Sequence, residues 1–108
     1  MNLKEELQKV TNIQNVKENR FLTTPSFPYI VYHEEITERG ADNINNLIEK
    51  EIYIFLYEKE IDKNLEQKIV KWLNSLGIKF EKNKEWINEE KCYEISYEFN
   101  ILEKKEDL

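Results

Sequence analysis

The sequence has one histidine, His33, and one cysteine, Cys92, the two residue types of a Cys–His nucleophilic pair. A cysteine becomes a catalytic nucleophile when a histidine lies beside it, but no spacing here predicts that the two meet. They also cannot form a zinc site made only of histidine and cysteine. We therefore expect His33 to be an ordinary strand residue. Cys92 lies on the polar phase of its strand and is expected to be a half-exposed or interface thiol, not an activated one.

Carboxylates are numerous, and three groups of them invite comparison with an acid–base pair or a calcium site. These groups are Glu34 with Glu35, Glu58 with Glu60 and Asp62, and Glu89 with Glu90. No loop among them has the alternating Asp and Asn spacing of a calcium-binding hand. The two glycines of the chain are too few for a glycine-rich phosphate loop. We interpret the carboxylates as a solvated surface, and predict no catalytic residue, no cofactor, no metal site and no enzyme.

The size and the charge of the chain limit the classes of protein to which it can belong. The 108 residues, 40% of them hydrophobic, suffice for a single domain over residues 1–108 with a modest core. A formal charge of −6 argues against general nucleic-acid binding, which draws on clustered lysine and arginine. The apolar runs are far shorter than the roughly 20 residues of a membrane span. With one cysteine the chain has no internal disulfide, which suits a reducing cytoplasm.

Two strands, Tyr29–Glu35 and Glu51–Tyr57, are predicted on either side of a long polar connection. The second strand is apolar in both phases, with Ile52, Ile54 and Leu56 in one and Tyr53, Phe55 and Tyr57 in the other. A strand with two apolar faces is packed on both sides, so this one is predicted to lie inside a sheet. The aromatic phase is interpreted as its second core face. A connection of this length is usually functional or disordered.

Helical spacing occurs in two places. Leu3, Leu7 and Val10 form one apolar stripe on an opening helix. A second helix begins after Asp62, whose side chain can cap it, and ends at Gly77, which adopts the left-handed conformation easily. Its core-facing stripe is Leu65, Ile69, Trp72, Leu73 and Leu76.

The remaining segments are predicted as strands and a tail. Val16–Leu22 is a short strand, Ile78–Ile87 and Lys91–Ile101 form a final hairpin, and Glu103–Leu108 is a frayed, charged tail. The order of these elements predicts an α+β domain, with a mostly antiparallel sheet and two helices packed on one face.

An ordered set of segments at fixed spacing resembles a known protein family. The segments are Pro28-Tyr29-Ile30-Val31-Tyr32, Ala41-Asp42-Asn43, Ile54-Phe55-Leu56-Tyr57-Glu58, Leu65–Leu76, Phe80-Glu81-Lys82, Trp86-Ile87 and Tyr93–Phe99. They cover residues 25–101 and resemble small structural proteins encoded by tailed phages and prophages. The likeness is to the tail terminator type, also described as tail completion or head–tail joining proteins.

The resemblance implies a subunit that assembles with itself, commonly as a hexameric ring, at the head-proximal end of a tail. There it stops polymerisation of the tail tube protein and presents a docking surface to the head connector or completion protein. It implies no catalysis, no cofactor and no membrane, and DNA passes through without being bound specifically. The implied location is the virion, with the host cytoplasm as the place of assembly.

A ring is built from heterologous contacts, in which one patch of a subunit meets a different patch of its neighbour. The Ile36–Ile48 connection is our candidate for one such patch. Its polar contacts would come from Arg39, Asp42 and Asn43, and its apolar area from Ile44 and Leu47. The alternative is a solvent loop that contains a short helical turn. Trp86 is a further candidate, because a tryptophan beside the last turn either covers the hairpin core or anchors a partner.

Two other functions stay open from the sequence. The first is a head-completion or adaptor protein of the same particle. The second is a small acidic inhibitor or immunity-type protein, although lysine and glutamate intermix through residues 79–91, whereas such a protein should cluster its charge on one face.

Overall fold

The computed structural model describes residues 2–37 and 47–104, and that part of the chain forms one sheet with two helices. The elements, in chain order, are α1 (Leu3–Thr11), β1 (Val16–Glu18), β2 (Tyr29–Thr37), β3 (Leu47–Glu58), α2 (Lys63–Ser75), β4 (Glu81–Ile87) and β5 (Cys92–Lys104). The strands lie in the order β1-β2-β3-β5-β4. Only β1 and β2 pair in parallel; the other neighbours are antiparallel. The predicted α+β class, with a mostly antiparallel sheet, is confirmed.

The second helix has the ends that its sequence predicts. The Asp62 side chain accepts a hydrogen bond from the Leu65 N–H at 3.1 Å, which satisfies one of the free donors of the first turn. Gly77 follows the helix at a φ of 69°, and the Ile78 N–H donates to the Leu73 carbonyl at 3.0 Å. These contacts fix where α2 starts and stops over the sheet.

The first helix is short and depends on its packing. Asn2 caps it by accepting from the Glu5 N–H at 3.2 Å, and Asn12 ends it at a φ of 62°. A helix of this length is marginal alone in water, so burial of Leu3 and Leu7 must hold it in place.

The core lies between the helices and one face of the sheet. Ile52, Ile54 and Leu56 of the central strand β3 are at most 1% exposed, and each stabilises the fold by about 1.5–3 kcal/mol through burial. The same cluster contains Leu3, Leu7, Ile13, Val16, Ile30, Tyr32, Leu65, Ile69, Leu73, Ile95, Tyr97 and Phe99. The Tyr97 hydroxyl of β5 donates to the Glu66 carbonyl of α2 at 3.1 Å, which ties that helix to this face.

Several strands are longer than predicted. β2 continues to Thr37 and β3 begins at Leu47, because Thr37 pairs with Glu49. β5 continues to Lys104, which pairs with Leu47, so the tail predicted as frayed from Glu103 is a strand at its start. Cross-strand pairing adds these polar residues to the sheet, which local sequence preference does not indicate.

Two side chains expected at the surface are buried. Cys92 is fully buried, not half-exposed, and Glu58 is 2% exposed, whereas the sequence placed it on a solvated surface. Alternation along a strand predicts which face a side chain occupies but not what covers that face. Burial raises the pKa of the Cys92 thiol, with nearby Glu90 and Glu94 adding to the effect, so a reactive thiolate is disfavoured.

The two residues that could have formed a nucleophilic pair are kept apart. His33 shares a row of the sheet with Tyr53 and Glu98. Cys92 lies six residues from Glu98 along β5 (92 to 98), or roughly 20 Å. His33 is half-buried, its Nδ1 hydrogen-bonds with Asn19 Oδ1 at 3.2 Å, and its ring packs against Phe55. No helix in the described ranges is long and apolar enough to cross a bilayer.

Candidate assembly surface

The face of the sheet opposite the helices, called here the open face, carries no helix in the part of the chain that the structure describes. Its residues on β2 and β3 are Tyr29, Val31, His33, Glu35, Glu51, Tyr53, Phe55 and Tyr57. Its residues on β4 and β5 are Glu81, Asn83, Glu85, Glu94, Ser96, Glu98 and Asn100. The aromatic side chains of β3 on this face are half-buried, so the strand is fully packed on one side only.

The loop between β1 and β2 covers one end of the open face. Tyr29 stacks on Tyr57 with ring centroids 4.8 Å apart, and Phe27 stacks on Tyr29 at 5.4 Å. Phe21 meets Tyr29 edge-on at 5.7 Å. A cavity of about 290 Å³ lies between this loop and the sheet, with Phe55 also in its wall. The uncovered end is therefore the one that carries Tyr53 and Glu98.

Two tyrosines of the open face donate to carboxylates on the same face. Tyr57 donates to Glu94 Oε2 at 2.8 Å, and Tyr53 donates to Glu51 Oε1 at 2.6 Å. The hydrogen bond to Glu51 is the main cause that raises the pKa of Tyr53 to about 12. Burial, followed by the bond to Glu94, raises the pKa of Tyr57. Both hydroxyls therefore stay protonated at neutral pH and hold the two carboxylates in fixed positions.

Glutamates face one another across the strands of the open face. Three cross-strand pairs join two glutamates each: Glu35 with Glu51, Glu81 with Glu98, and Glu85 with Glu94. No lysine or arginine of the described ranges forms an ion pair with any of these six side chains. Like charges directly opposite one another destabilise a sheet, so this arrangement works against the isolated subunit.

On the helix side, a buried carboxylate binds two lysines of the edge strand. Glu66 of α2 is 2% exposed, and its Oε1 lies 3.0 Å from Lys82 Nζ and 2.9 Å from Lys84 Nζ. Burial alone would raise the pKa of Glu66, but the hydrogen bonds from Lys84 and Lys82 outweigh it and lower the pKa. The two lysines therefore hold β4 against α2.

A second buried carboxylate is only half satisfied. Glu58 Oε2 accepts from the Asp62 N–H at 2.8 Å, whereas its Oε1 has no hydrogen-bond partner among the described residues. Burial is the main cause that raises the pKa of Glu58 to about 7. Glu58 does not belong to a candidate metal site, because the described ranges contain no group of three or more His, Cys, Asp or Glu able to hold a metal.

The sequence-predicted interface residues are only partly placed. Arg39, Asp42, Asn43 and Ile44 lie outside the described residues. Leu47, predicted in the connection, is the first residue of β3.

Trp86 lies on the edge strand β4, 48% exposed, on the helix side of the sheet and away from the open face. Its ring meets Tyr93 edge-on at 4.9 Å, so it covers the end of the hairpin with one side and leaves the other free. Both roles proposed for it from the sequence are therefore compatible with its position.

The open face itself was not predicted as a site. The sequence feature that could have indicated it is the aromatic phase of β3, formed by Tyr53, Phe55 and Tyr57. From the sequence this phase was interpreted as a second core face. The glutamate pairs could not be predicted from the sequence, because they depend on the register between neighbouring strands.

Comparison with known proteins gives a fold but no family. No protein-family model matches the chain, and no curated protein matches it in sequence. Among solved structures, the fold is shared with a chain of the virion of a native gene transfer agent particle. The TM-score is 0.59 at 9% sequence identity, over 89% of this chain and 82% of that chain. At that identity the likeness shows the fold alone.

Proposed function

We propose that this chain is a virion structural protein of the tail terminator or head–tail joining type, which works by assembly and not by catalysis. The observation that carries the proposal is the fold, shared over 89% of this chain and 82% of the other with a chain of the gene transfer agent virion. The resemblance of residues 25–101 to tail terminator proteins supports the finer assignment. The uncovered sheet face supports an assembling subunit, because it combines half-buried aromatic side chains, a residue type enriched at interfaces, with carboxylates that no described cation pairs.

In this role the subunit forms a ring, with a hexamer implied by the resemblance, on the last layer of tail tube protein. One surface of the ring blocks further addition of tube subunits, and the opposite surface binds the head connector or completion protein. The net negative charge suits a channel through which DNA passes, because acidic walls repel the duplex. The protein is made in the host cytoplasm and remains in the virion.

Electron microscopy of particles assembled with and without this protein tests the role. Without it, we expect tails of uncontrolled length and few joined heads. Adding the purified protein back should restore a uniform tail length, and the protein should then be detected in the purified particles. Tails of normal length that fail to join heads would instead assign the chain to head completion. Normal, infectious particles in its absence would overturn the proposal.

A further inference from the structure

We propose that the open face of one copy binds the outer face of α2 on the next copy, mainly through charge. The inference rests on the proposed function, since it names the surfaces through which subunits of the ring meet. Two different surfaces of the same chain are involved, so the contact is heterologous and passes from copy to copy.

The outer face of α2 is positively charged. Burial of Leu65, Ile69 and Leu73 turns one side of the helix to the core. The exposed residues on the other side are Lys63, Asn64, Gln67, Lys68, Lys71, Asn74 and Ser75. They include three lysines and no carboxylate. Glu66, the one acidic residue of the helix, is buried and bound by Lys82 and Lys84, so it does not offset the lysines of the outer face.

The open face is negatively charged over the half formed by β3, β5 and β4. We call this region the acidic half, and it contains Glu51, Glu81, Glu85, Glu94 and Glu98. Two positive residues lie near its borders: Arg20 lines the same cavity as Glu94, and Lys79 lines the same groove as Glu51, Glu81 and Glu98. Five carboxylates against these two cations leave the acidic half with a surplus of negative charge.

The glutamate pairs of the acidic half favour a cationic partner. Glu81 opposes Glu98 and Glu85 opposes Glu94, and lysines placed between them from outside would convert repulsion into attraction. Tyr53 and Phe55 lie beside these carboxylates, half-buried, and supply aromatic contact area of the kind enriched at interfaces. The lysine-bearing helix face of a second copy offers the matching charge.

The position of the two surfaces determines what they can build. The sheet and the helices form two layers, so the open face and the outer face of α2 are on opposite sides of the subunit. Contacts between opposite sides give a closed ring when the rotations between successive copies add up to one full turn, and a filament when they do not. A two-fold dimer would need both surfaces on the same side of the molecule, because its symmetry forms each contact twice.

A charge-reversal experiment tests the pairing. One variant carries Lys68→Glu and Lys71→Glu, and a second carries Glu81→Lys and Glu98→Lys. Self-association is measured by analytical ultracentrifugation at an ionic strength of about 10 mM, where screening is weak. We expect the wild type to associate and to dissociate as salt is added. Each variant alone should bind itself at least about tenfold more weakly, and a mixture of the two should recover association.

A matched control reverses two lysines elsewhere. The variant Lys4→Glu with Lys9→Glu makes the same charge change on α1 and should associate like the wild type. Circular dichroism of every variant checks that it folds. A wild type that stays monomeric at low ionic strength overturns the pairing. Association that neither variant weakens, or a mixture that does not recover, also overturns it, while the tail-length experiment continues to decide the proposed function separately.

Discussion

Glu81 of the edge strand lies directly opposite Glu98 of β5, on a face that no described helix covers. A cross-strand pair of like charges costs stability, and the described ranges contain no lysine or arginine that forms an ion pair with either side chain. The isolated chain thus keeps an unfavourable contact, which the proposed pairing with a lysine-bearing surface would relieve.

Replacing Glu98 by Gln should therefore stabilise the isolated subunit. We expect the free energy of unfolding to rise by about 0.2–1 kcal/mol, because the repulsion from Glu81 is removed. Urea denaturation at low salt measures the change, and added salt should reduce it. Glu60→Gln is the control, since Glu60 is exposed outside the sheet and should show no gain. Equal effects of the two substitutions would contradict the prediction.

The lysine pair around Glu66 gives a second test. Replacing Lys82 and Lys84 together by Met leaves a buried carboxylate without a cation and should cost about 1–3 kcal/mol of unfolding free energy. Each single substitution should cost less than half of this, because the other lysine remains. Urea denaturation of the wild type, the two single variants and the double variant measures the three losses of unfolding free energy. The loss of the double variant is then compared with the sum of the two single losses. Additive losses would show that the lysines act independently.

The lowered pKa of Glu66 fixes the sign of its pH effect. A carboxyl group whose pKa is lower in the folded state stabilises the fold above its unfolded pKa, and the contribution is lost as the pH falls through the folded pKa. The wild type should therefore lose this part of its stability in acid. The double Lys→Met variant should lack that loss, which unfolding measured between about pH 3 and 7 will check.

Glu58 is predicted to act in the opposite direction. Burial raises its pKa from 4.5 to about 7, so the folded state keeps a proton that the unfolded chain releases between these values. Stability should fall as the pH rises from 4.5 to 7 and then level off, by about 1–3 kcal/mol in total. Glu58→Gln should remove this fall, because the amide stays neutral and still accepts from the Asp62 N–H. Parallel pH profiles for variant and wild type would contradict the assignment.

Gly77 tests the end of α2. Its φ of 69° is costly for a residue with a Cβ, although an added Cβ would meet no atom within 4 Å. Gly77→Ala should destabilise the protein by about 1 kcal/mol through the backbone alone. Gly77→Asn should cost less, since asparagine tolerates this conformation better. Thermal unfolding of the two variants measures the difference, and an equal loss for both would argue against a backbone cause.

The sequence predicted what depends on local spacing. The Asp62 cap, the Gly77 stop and the stripe of α2 follow from residues within one or two helical turns, and the structure confirms the cap, the stop and most of the stripe. The prediction of Leu76 as the last residue of the stripe is wrong, because Leu76 follows the helix and is 47% exposed. The interior position of β3 in the sheet was also predicted and is confirmed, although helices cover only one of its two apolar faces.

What the sequence could not give depends on distant packing. Alternation in β3 shows that Tyr53 and Phe55 share a face, but both helices pack on the other side, so that face stays half-buried. The parallel pairing of β1 with β2 joins three residues to a strand more than ten positions later, beyond the reach of local preference. Burial of Glu58 depends on the start of α2 folding over it.

The edge strand β4 also affects how readily the isolated protein pairs with other chains. Its outward rim is the last in the described sheet, and its side chains alternate Glu81, Lys82, Asn83, Lys84 and Glu85. A strand of another molecule that paired with this edge would have to accommodate Lys82 and Lys84, which are bound to Glu66 on the helix side of the sheet. Charged residues on an edge strand disfavour pairing with a second chain. This edge of the isolated protein is therefore protected against pairing with a strand of another molecule.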